Sequence, residues 1–443
     1  MVIRKGDFIL LSTILAILIF IVIYTFIITE KFNRAILALI GASSMVIIGI
    51  IDIEKAFTHY IEWETITLLI GMMILVGITN KTGIFQYLAV KTAKISKGNP
   101  IRILISLSLL TAVASAFLDN VTTVLLIVPV TLSITKMLEV NPIPFLISEI
   151  LASNIGGTAT LIGDPPNIMI GSENKHLTFN AFLFNLAPIV IVILVITLFL
   201  LYLIYRRKLR VEEHKMQRVM ELDEKEYIQD AVLLKKSLFI LAFTIVGFIL
   251  HSIIHIEASV IAITGATLLM LFGLKSEEVD DAFQSVEWVT IFFFAGLFTL
   301  VGGLQEVGVI KYLASQLLDI TNGNIPFAAI LILWGSGIAS AFIDNIPFVA
   351  TMIPLINDMA AHLGLSIDSP QINALWWSLA LGACLGGNGT IIGASANVVV
   401  ADLAAKNGQS LGYIEYLKIA APLTLLALLI SHIYVYLRYL IYL

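Results

Sequence analysis

Residues 151–171 read LASNIGGTATLIGDPPNIMIG, and the placement of this stretch decides the fold. It sets four glycines, two threonines, an aspartate, two asparagines and a double proline inside one of the most apolar chains a protein can have. The 443 residues are 59% hydrophobic and 13% charged, with a mean hydropathy of +0.98. A soluble domain of this length has to cover itself with polar groups, so this composition excludes one. Runs such as 8–28 and 187–205 are each long enough to cross a hydrocarbon core of roughly 30 Å. A polytopic protein of the lipid bilayer is expected. Arg4 and Lys5 flank the first run, but no small-residue cleavage site follows it, so it reads as a membrane helix and not a signal peptide.

The remaining composition narrows the partners. Cys384 is the only cysteine, so no internal disulfide forms and redox chemistry does not identify the compartment. A net charge of −5 gives no support for a nucleic-acid partner. The charges concentrate near the middle of the chain, in a mixed-sign segment at 206–235 that reads as an aqueous linker between two halves.

The halves repeat each other. ASAFLDN at 114–120 recurs as ASAFIDN at 339–345, an offset of 225 residues. The same offset pairs Glu62-Trp63 with Glu287-Trp288, Gly71 with Gly296, and Pro129 with Pro354. At an offset of 230, GGTATLIGDPPN (156–167) aligns on GGNGTIIGASAN (386–397). Two motifs in the same order with matching spacers mark an internal duplication, with repeats at 8–205 and 236–441.

Each half is expected to be all-α. Three long apolar segments come first, then an apolar stretch with a polar middle (101–137 and 326–360), the glycine-rich segment and a last apolar run. Reading the polar-centred stretches as re-entrant hairpins gives five crossings per half. That odd number inserts the halves in opposite senses, for ten crossings and two hairpins in all. Placing the linker in the cytoplasm puts 20 of the 26 lysines and arginines inside, Arg34 among them. The positive-inside rule is then met, with both termini outside a cytoplasmic (plasma) membrane.

A helix broken inside lipid frees backbone groups that cost several kcal/mol each unless protein or a wet cavity satisfies them. Gly156, Gly157 and Gly163 supply the unwinding, and Pro165-Pro166 favour a fresh helix at about Asn167. One half-helix end offers carbonyls to a cation, and the next N-terminus offers amides to an anion. Interrupted helices at corresponding places in inverted repeats point to a midplane transport site.

The string ASNIGGTATLIGDPPNIMIGS, with LDNVTT upstream, resembles the arsenical-pump/P-protein permeases of the ion transporter superfamily of citrate-transporter-like proteins. The resemblance covers essentially the whole chain. It implies an inverted-repeat fold with opposed hairpins, a homodimer, and transport by elevator motion of the site-bearing domain. It also carries over the hairpin tips, Asp119-Asn120-Val121-Thr122 and Asp344-Asn345-Ile346-Pro347, and the unwound loops, Asn154–Asn167 and Gly386–Asn397. The Asp-Asn tips depart from the Ser-Asn-Thr of the superfamily's dicarboxylate carriers, which points away from a dicarboxylate substrate.

Asp119 and Asp344 are costly at membrane depth, roughly 2.5–3.5 kcal/mol each. They read as a cation or proton site with Asn120, Asn345 and loop carbonyls, or as caps of their own helices. Asp164 has Ala394 as its repeat partner, so it reads as a coupling group that carries a proton, or as a cap. Asn154, Thr158, Thr160 and Asn167, with Asn388, Thr390 and Asn397, are neutral ligands around a small ion or groups that satisfy broken backbone; Thr122, Gly386 and Gly387 complete the candidate set. Cys384 reads as a small packing residue. His251 and His255 stand four apart but lack any accompanying motif of a metal enzyme, and no P-loop string supports ATP hydrolysis by this chain.

The expected function is therefore gradient-driven secondary transport, with no cofactor beyond a coupling sodium ion or proton. A small oxyanion or metalloid oxyacid such as arsenite is the first substrate class. Sodium/proton antiport and an anion channel are the alternatives, and a separate ATPase subunit is a further partner to consider.

Overall fold

A computed structural model describes residues 5–29 and 31–443. Arg4, counted above on the outer N-terminus, lies outside them. The described residues form helices and no strands. Nine of these helices are long and apolar enough to cross a bilayer. Three of the nine, Asn120–Leu138, Ile325–Phe342 and Asn345–Leu363, are hairpin arms. Length and composition therefore do not separate an arm from a crossing, and contacts have to.

The first repeat runs Lys5–Ile28, Arg34–Ile47, Trp63–Lys81, a hairpin of Pro100–Ser115 and Asn120–Leu138, the broken pair Ile143–Gly157 and Pro165–Glu173, and Ala187–Tyr205. The second runs Ala231–Ile254, Ala258–Gly273, Trp288–Glu306, a hairpin of Ile325–Phe342 and Asn345–Leu363, the broken pair Pro370–Gly386 and Ser395–Lys406, and Tyr413–Arg438. Its first helix starts within the 206–235 segment, because Asp230 accepts hydrogen bonds from Val232 N and Leu233 N and so caps it early. The half-helix after the first break starts at Pro165, two residues before the expected Asn167. The 81–102 stretch, which joins the third helix to the first hairpin, contains a helix at Ile84–Ile95 that buries Ile84, Phe85, Ala89, Val90 and Ala93. That spacing is the one-sided stripe of an amphipathic helix.

The repeats interlock. Ala258–Gly273 packs on Trp63–Lys81, and Trp288–Glu306 packs on Arg34–Ile47, so each repeat's second helix lies against the other repeat's third. The approach is backbone to backbone. A methyl on Gly71 would stand 2.7 Å from the carbonyl carbon of Ala262, and one on Gly296 would stand 2.7 Å from that of Ala38. Small residues that admit such contact carry helix association where lipid removes the hydrophobic drive.

The hairpins enter from opposite faces. Glu139, at the base of the first, accepts from Lys215 Nζ at 2.6 Å and Arg218 Nη1 at 3.3 Å, both in the linker. The Lys215 contact holds the Glu139 carboxyl below its ordinary range. From that base the chain rises through Ile143–Gly157, breaks, and ends its crossing at Glu173. There Asn357, on the second hairpin's outgoing arm, donates to Glu173 Oε1 at 2.9 Å. Both tips stop beside the break, within the membrane.

Candidate transport site

Each break is closed by its own asparagine. Asn167 Nδ2 donates to Thr160 O (2.9 Å) and Thr158 O (3.2 Å). Asn397 Nδ2 donates to Thr390 O (2.9 Å) and Gly387 O (2.7 Å). The threonines tie each loop to the adjacent hairpin, Thr160 Oγ1 to Ala116 O and Thr390 Oγ1 to Ala341 O, both at 2.5 Å. Thr158 Oγ1 turns back to Asn154 O at 2.7 Å. Carbonyls freed by unwinding are thus satisfied inside the protein, as lipid requires. The glycines let backbones meet. A methyl on Gly156 would stand 2.1 Å from Ala112 O, and one on Gly386 would stand 2.3 Å from Gly337 O. Across their own loops, a methyl on Gly157 would stand 2.5 Å from Gly163 O, and one on Gly387 would stand 3.0 Å from Gly393 O.

The two breaks meet through a buried asparagine cluster. Asn154 Nδ2 donates to Asn388 Oδ1 (2.9 Å) and Asn397 Oδ1 (2.8 Å) of the other repeat. Its own Oδ1 accepts from Asn120 Nδ2 at the first hairpin tip (3.0 Å). The repeat counterpart of Asn154 is Cys384, fully buried, whose Sγ donates to Asn167 Oδ1 at 3.5 Å. The residue read as packing occupies a central polar position. The repeat alignment carried that signal, since it sets Cys384 on Asn154.

The three aspartates share one backbone position, the residue before a helix, and differ in what they do there. Asp119 caps: its Oδ1 accepts from Thr122 N (2.7 Å) and its Oδ2 from Thr122 Oγ1 (2.5 Å). Asp344 also caps, accepting from Ile346 N at 3.1 Å. Its second oxygen takes Arg34 Nη1 at 3.0 Å and Ser395 Oγ at 2.6 Å. Charge counting placed Arg34 on the cytoplasmic side; the structure brings it to the second hairpin tip, joining the first repeat's second helix to the second break. Ser395 and Arg34 were not among the candidate residues, and nothing in their local sequence marks them.

Asp164 does not cap its helix. Pro165 and Pro166 have no N–H, and Asn167 N is taken by the Asp164 main-chain oxygen at 3.0 Å. The carboxyl is fully buried and faces the opposite repeat, where Asn345 Nδ2 lies 3.3 and 3.4 Å from its two oxygens. An ionised carboxyl held only by neutral groups at this depth requires a proton or a small cation. At the equivalent place in the second break stands Ala394, followed by Ser395 and Ala396, whose N–H groups no proline removes. The first break therefore favours positive charge. The second keeps its N-terminal amides, the kind of group that suits an anion, and the Arg34 beside it is paired with Asp344.

Outside the membrane-spanning segments, Glu62 and Glu173 form a carboxyl pair in a cavity of about 220 Å³ that also includes His59 and Gln305. Burial, with the neighbouring Glu173, pushes Glu62 up from 4.5 to about 7. His251 acts as an acceptor, its Nε2 taking Phe179 N at 3.0 Å.

Comparison with known proteins places this site in a family. The citrate transporter (CitMHS) family profile matches residues 24–382. An uncharacterized transporter of Mycobacterium bovis is 42% identical over 431 residues, covering 96% of this chain and 99% of the relative. The human P protein is 34% identical over 499 residues, covering 93% of this chain and 59% of the P protein. The crystal structure of the Alcanivorax borkumensis YdaH transporter, described as having an unusual topology, aligns with a TM-score of 0.58 at 13% identity. That alignment covers 96% of this chain and 97% of YdaH, and shows a shared fold. The chain is a membrane transporter that belongs to the citrate transporter (CitMHS) family.

Proposed function

We propose that the chain is a secondary active transporter that moves a small oxyanion or neutral oxyacid, of the size and polarity of arsenite, coupled to a proton or a sodium ion. One observation carries the reading: Asp164 is buried, uncapped because two prolines follow it, and touched by the opposite repeat's Asn345. A carboxyl so placed, where a break meets the opposite hairpin tip, takes up or releases a proton or cation when that junction is exposed to one side of the membrane, which is what coupling requires. The anion component is supported by the second break, where no proline removes the N–H groups of Ser395 and Ala396 at the helix N-terminus. A tricarboxylate fits less well. Among the described residues, the basic side chain at a tip is Arg34, already paired with Asp344.

Sodium/proton antiport by the two tip carboxylates is the second reading, and it is weakened because Asp119 and Asp344 are occupied by capping and by Arg34. Elevator motion of the hairpins and breaks against the interlocked helices, in a homodimer, is the mechanism proposed with this reading. The test uses proteoliposomes loaded with a pH-sensitive dye. Proton movement is expected on adding arsenite or a related oxyanion and is lost at least tenfold in Asp164→Asn, which still folds. Proton flux driven by sodium alone would overturn the oxyanion reading in favour of antiport. Normal coupled flux in Asp164→Asn would remove Asp164 from the coupling role.

A further inference from the structure

Glu149 takes no part in the site described above, yet it is 1% exposed in the middle of the Ile143–Gly157 helix. Its Oε1 accepts from Thr131 Oγ1 at 2.5 Å, and its Oε2 has no hydrogen-bond partner among the described residues. It precedes Asn154 by five residues, about 7.5 Å along the helix axis. The ionisable groups of the helices packed round it face elsewhere. Arg102, Lys136, Asp402 and Lys406 are exposed. Cys384 reaches Asn167, Tyr416 donates to Asn388 O, and Tyr205 lies near Glu415.

The arm that holds Glu149 is polar along one side. Asn120, Thr123 and Thr131 fall within a narrow arc of the Asn120–Leu138 helix at 100° per residue. All three are buried, and Asn120 Oδ1 and Thr123 Oγ1 are unpartnered like Glu149 Oε2. This stripe starts at the asparagine cluster, where Asn120 meets Asn154, and runs toward the linker face, where Glu139 binds Lys215. The second repeat has no equivalent carboxyl, since the residue at the Glu149 position is Leu379. Packing alone does not require an acid here.

We propose that Glu149 is a second proton-binding carboxyl of the transport body, lying between the linker face and Asp164. This deepens the coupling proposed above and rests on it. A proton fits the geometry better than a metal ion. A hard cation needs a shell of several oxygens, whereas among the described residues the side-chain oxygen hydrogen-bonded to Glu149 is Thr131 Oγ1. Binding adds H⁺ to Oε2 from hydronium, leaving water; release reverses it.

The test is infrared difference spectroscopy of the purified full-length protein in liposomes, titrated with acid and base, reading the C=O band of protonated carboxyls. Two titrating buried-carboxyl bands are expected. Glu149→Gln removes one, Asp164→Asn removes the other, and Thr131→Val shifts the Glu149 band by deleting its hydrogen bond. If Glu149→Gln fails to fold, the Thr131→Val shift decides. A Glu149 band that does not change with pH would mark a permanently protonated structural residue and overturn the proposal, as would a spectrum identical to wild type in both variants. Loss of the Asp164 band assignment alone would sink the earlier coupling reading and leave Glu149 standing.

Discussion

The two broken helices share a scaffold and differ in chemistry. Both unwind after a glycine pair, close the gap with an asparagine and tie a threonine to the neighbouring hairpin at the same 2.5 Å. The first break then has Asn154, Asp164 and two prolines where the second has Cys384, Ala394 and Ser395-Ala396. The duplication set where a helix can break inside lipid. What each break attracts was decided afterwards, one position at a time. A transporter needs that inequality, because two identical breaks would offer substrate and coupling ion the same site.

Exchanging residues between the breaks probes this most strongly. Asn154→Cys, which makes the first break resemble the second, strands the oxygens of Asn388 and Asn397 and the amide of Asn120. A loss of about 3 kcal/mol is expected from buried groups left unpaired, measured by thermal unfolding in detergent. Adding Cys384→Asn should not restore it, because the asparagine would then face Asn167. Full recovery in the double variant would mean the breaks are interchangeable, and the comparison would fail.

A smaller effect is expected from the tips. Arg34→Ala leaves Asp344 partly buried with Ser395 as its remaining side-chain partner, and should cost about 1–2 kcal/mol, between exposed and buried ion pairs. Asp119→Asn keeps a capping oxygen and should change stability by less than about 0.5 kcal/mol. Equal effects from the two substitutions would show that Arg34 adds nothing at the second tip.

A pH-dependent effect is expected at the face opposite the linker. Glu62 is raised to about 7, so its ionisation costs folded-state stability as pH rises from about 4.5 through 7. Glu62→Gln should therefore match wild type in melting temperature at pH 4 and exceed it by a few degrees at pH 8. A difference that is the same at both pH values would show that Glu62 is not raised in the folded protein.

Much of this was legible in the sequence, because a duplication supplies its own control. The offsets of 225 and 230 located the hairpins and breaks before any contact was known. The lone acid at Asp164 also stood out against Ala394. Its capping alternative was open only because the missing N–H groups of Pro165 and Pro166 were not set against it, although both prolines were in view. Arg34 was illegible for another reason. A charge count assigns a residue to a face, and only the packed structure brings residue 34 to residue 344. Glu149 carried no motif; its signal was the absence of an acid at Leu379, which emerges only when the alignment is extended upstream of the glycines. The helix at Ile84–Ile95 was obscured by lysines on its exposed side.

The contact of Gly71 with Ala262, and of Gly296 with Ala38, bears on how the protein is made. Trp63–Lys81 leaves the ribosome long before Ala258–Gly273 exists, so its glycine face has to wait in the bilayer without its mate. The first repeat completes its packing only against the second. Assembly of the core is post-insertional, and whatever shields that face in the interval, lipid or insertion machinery, acts as a temporary second repeat.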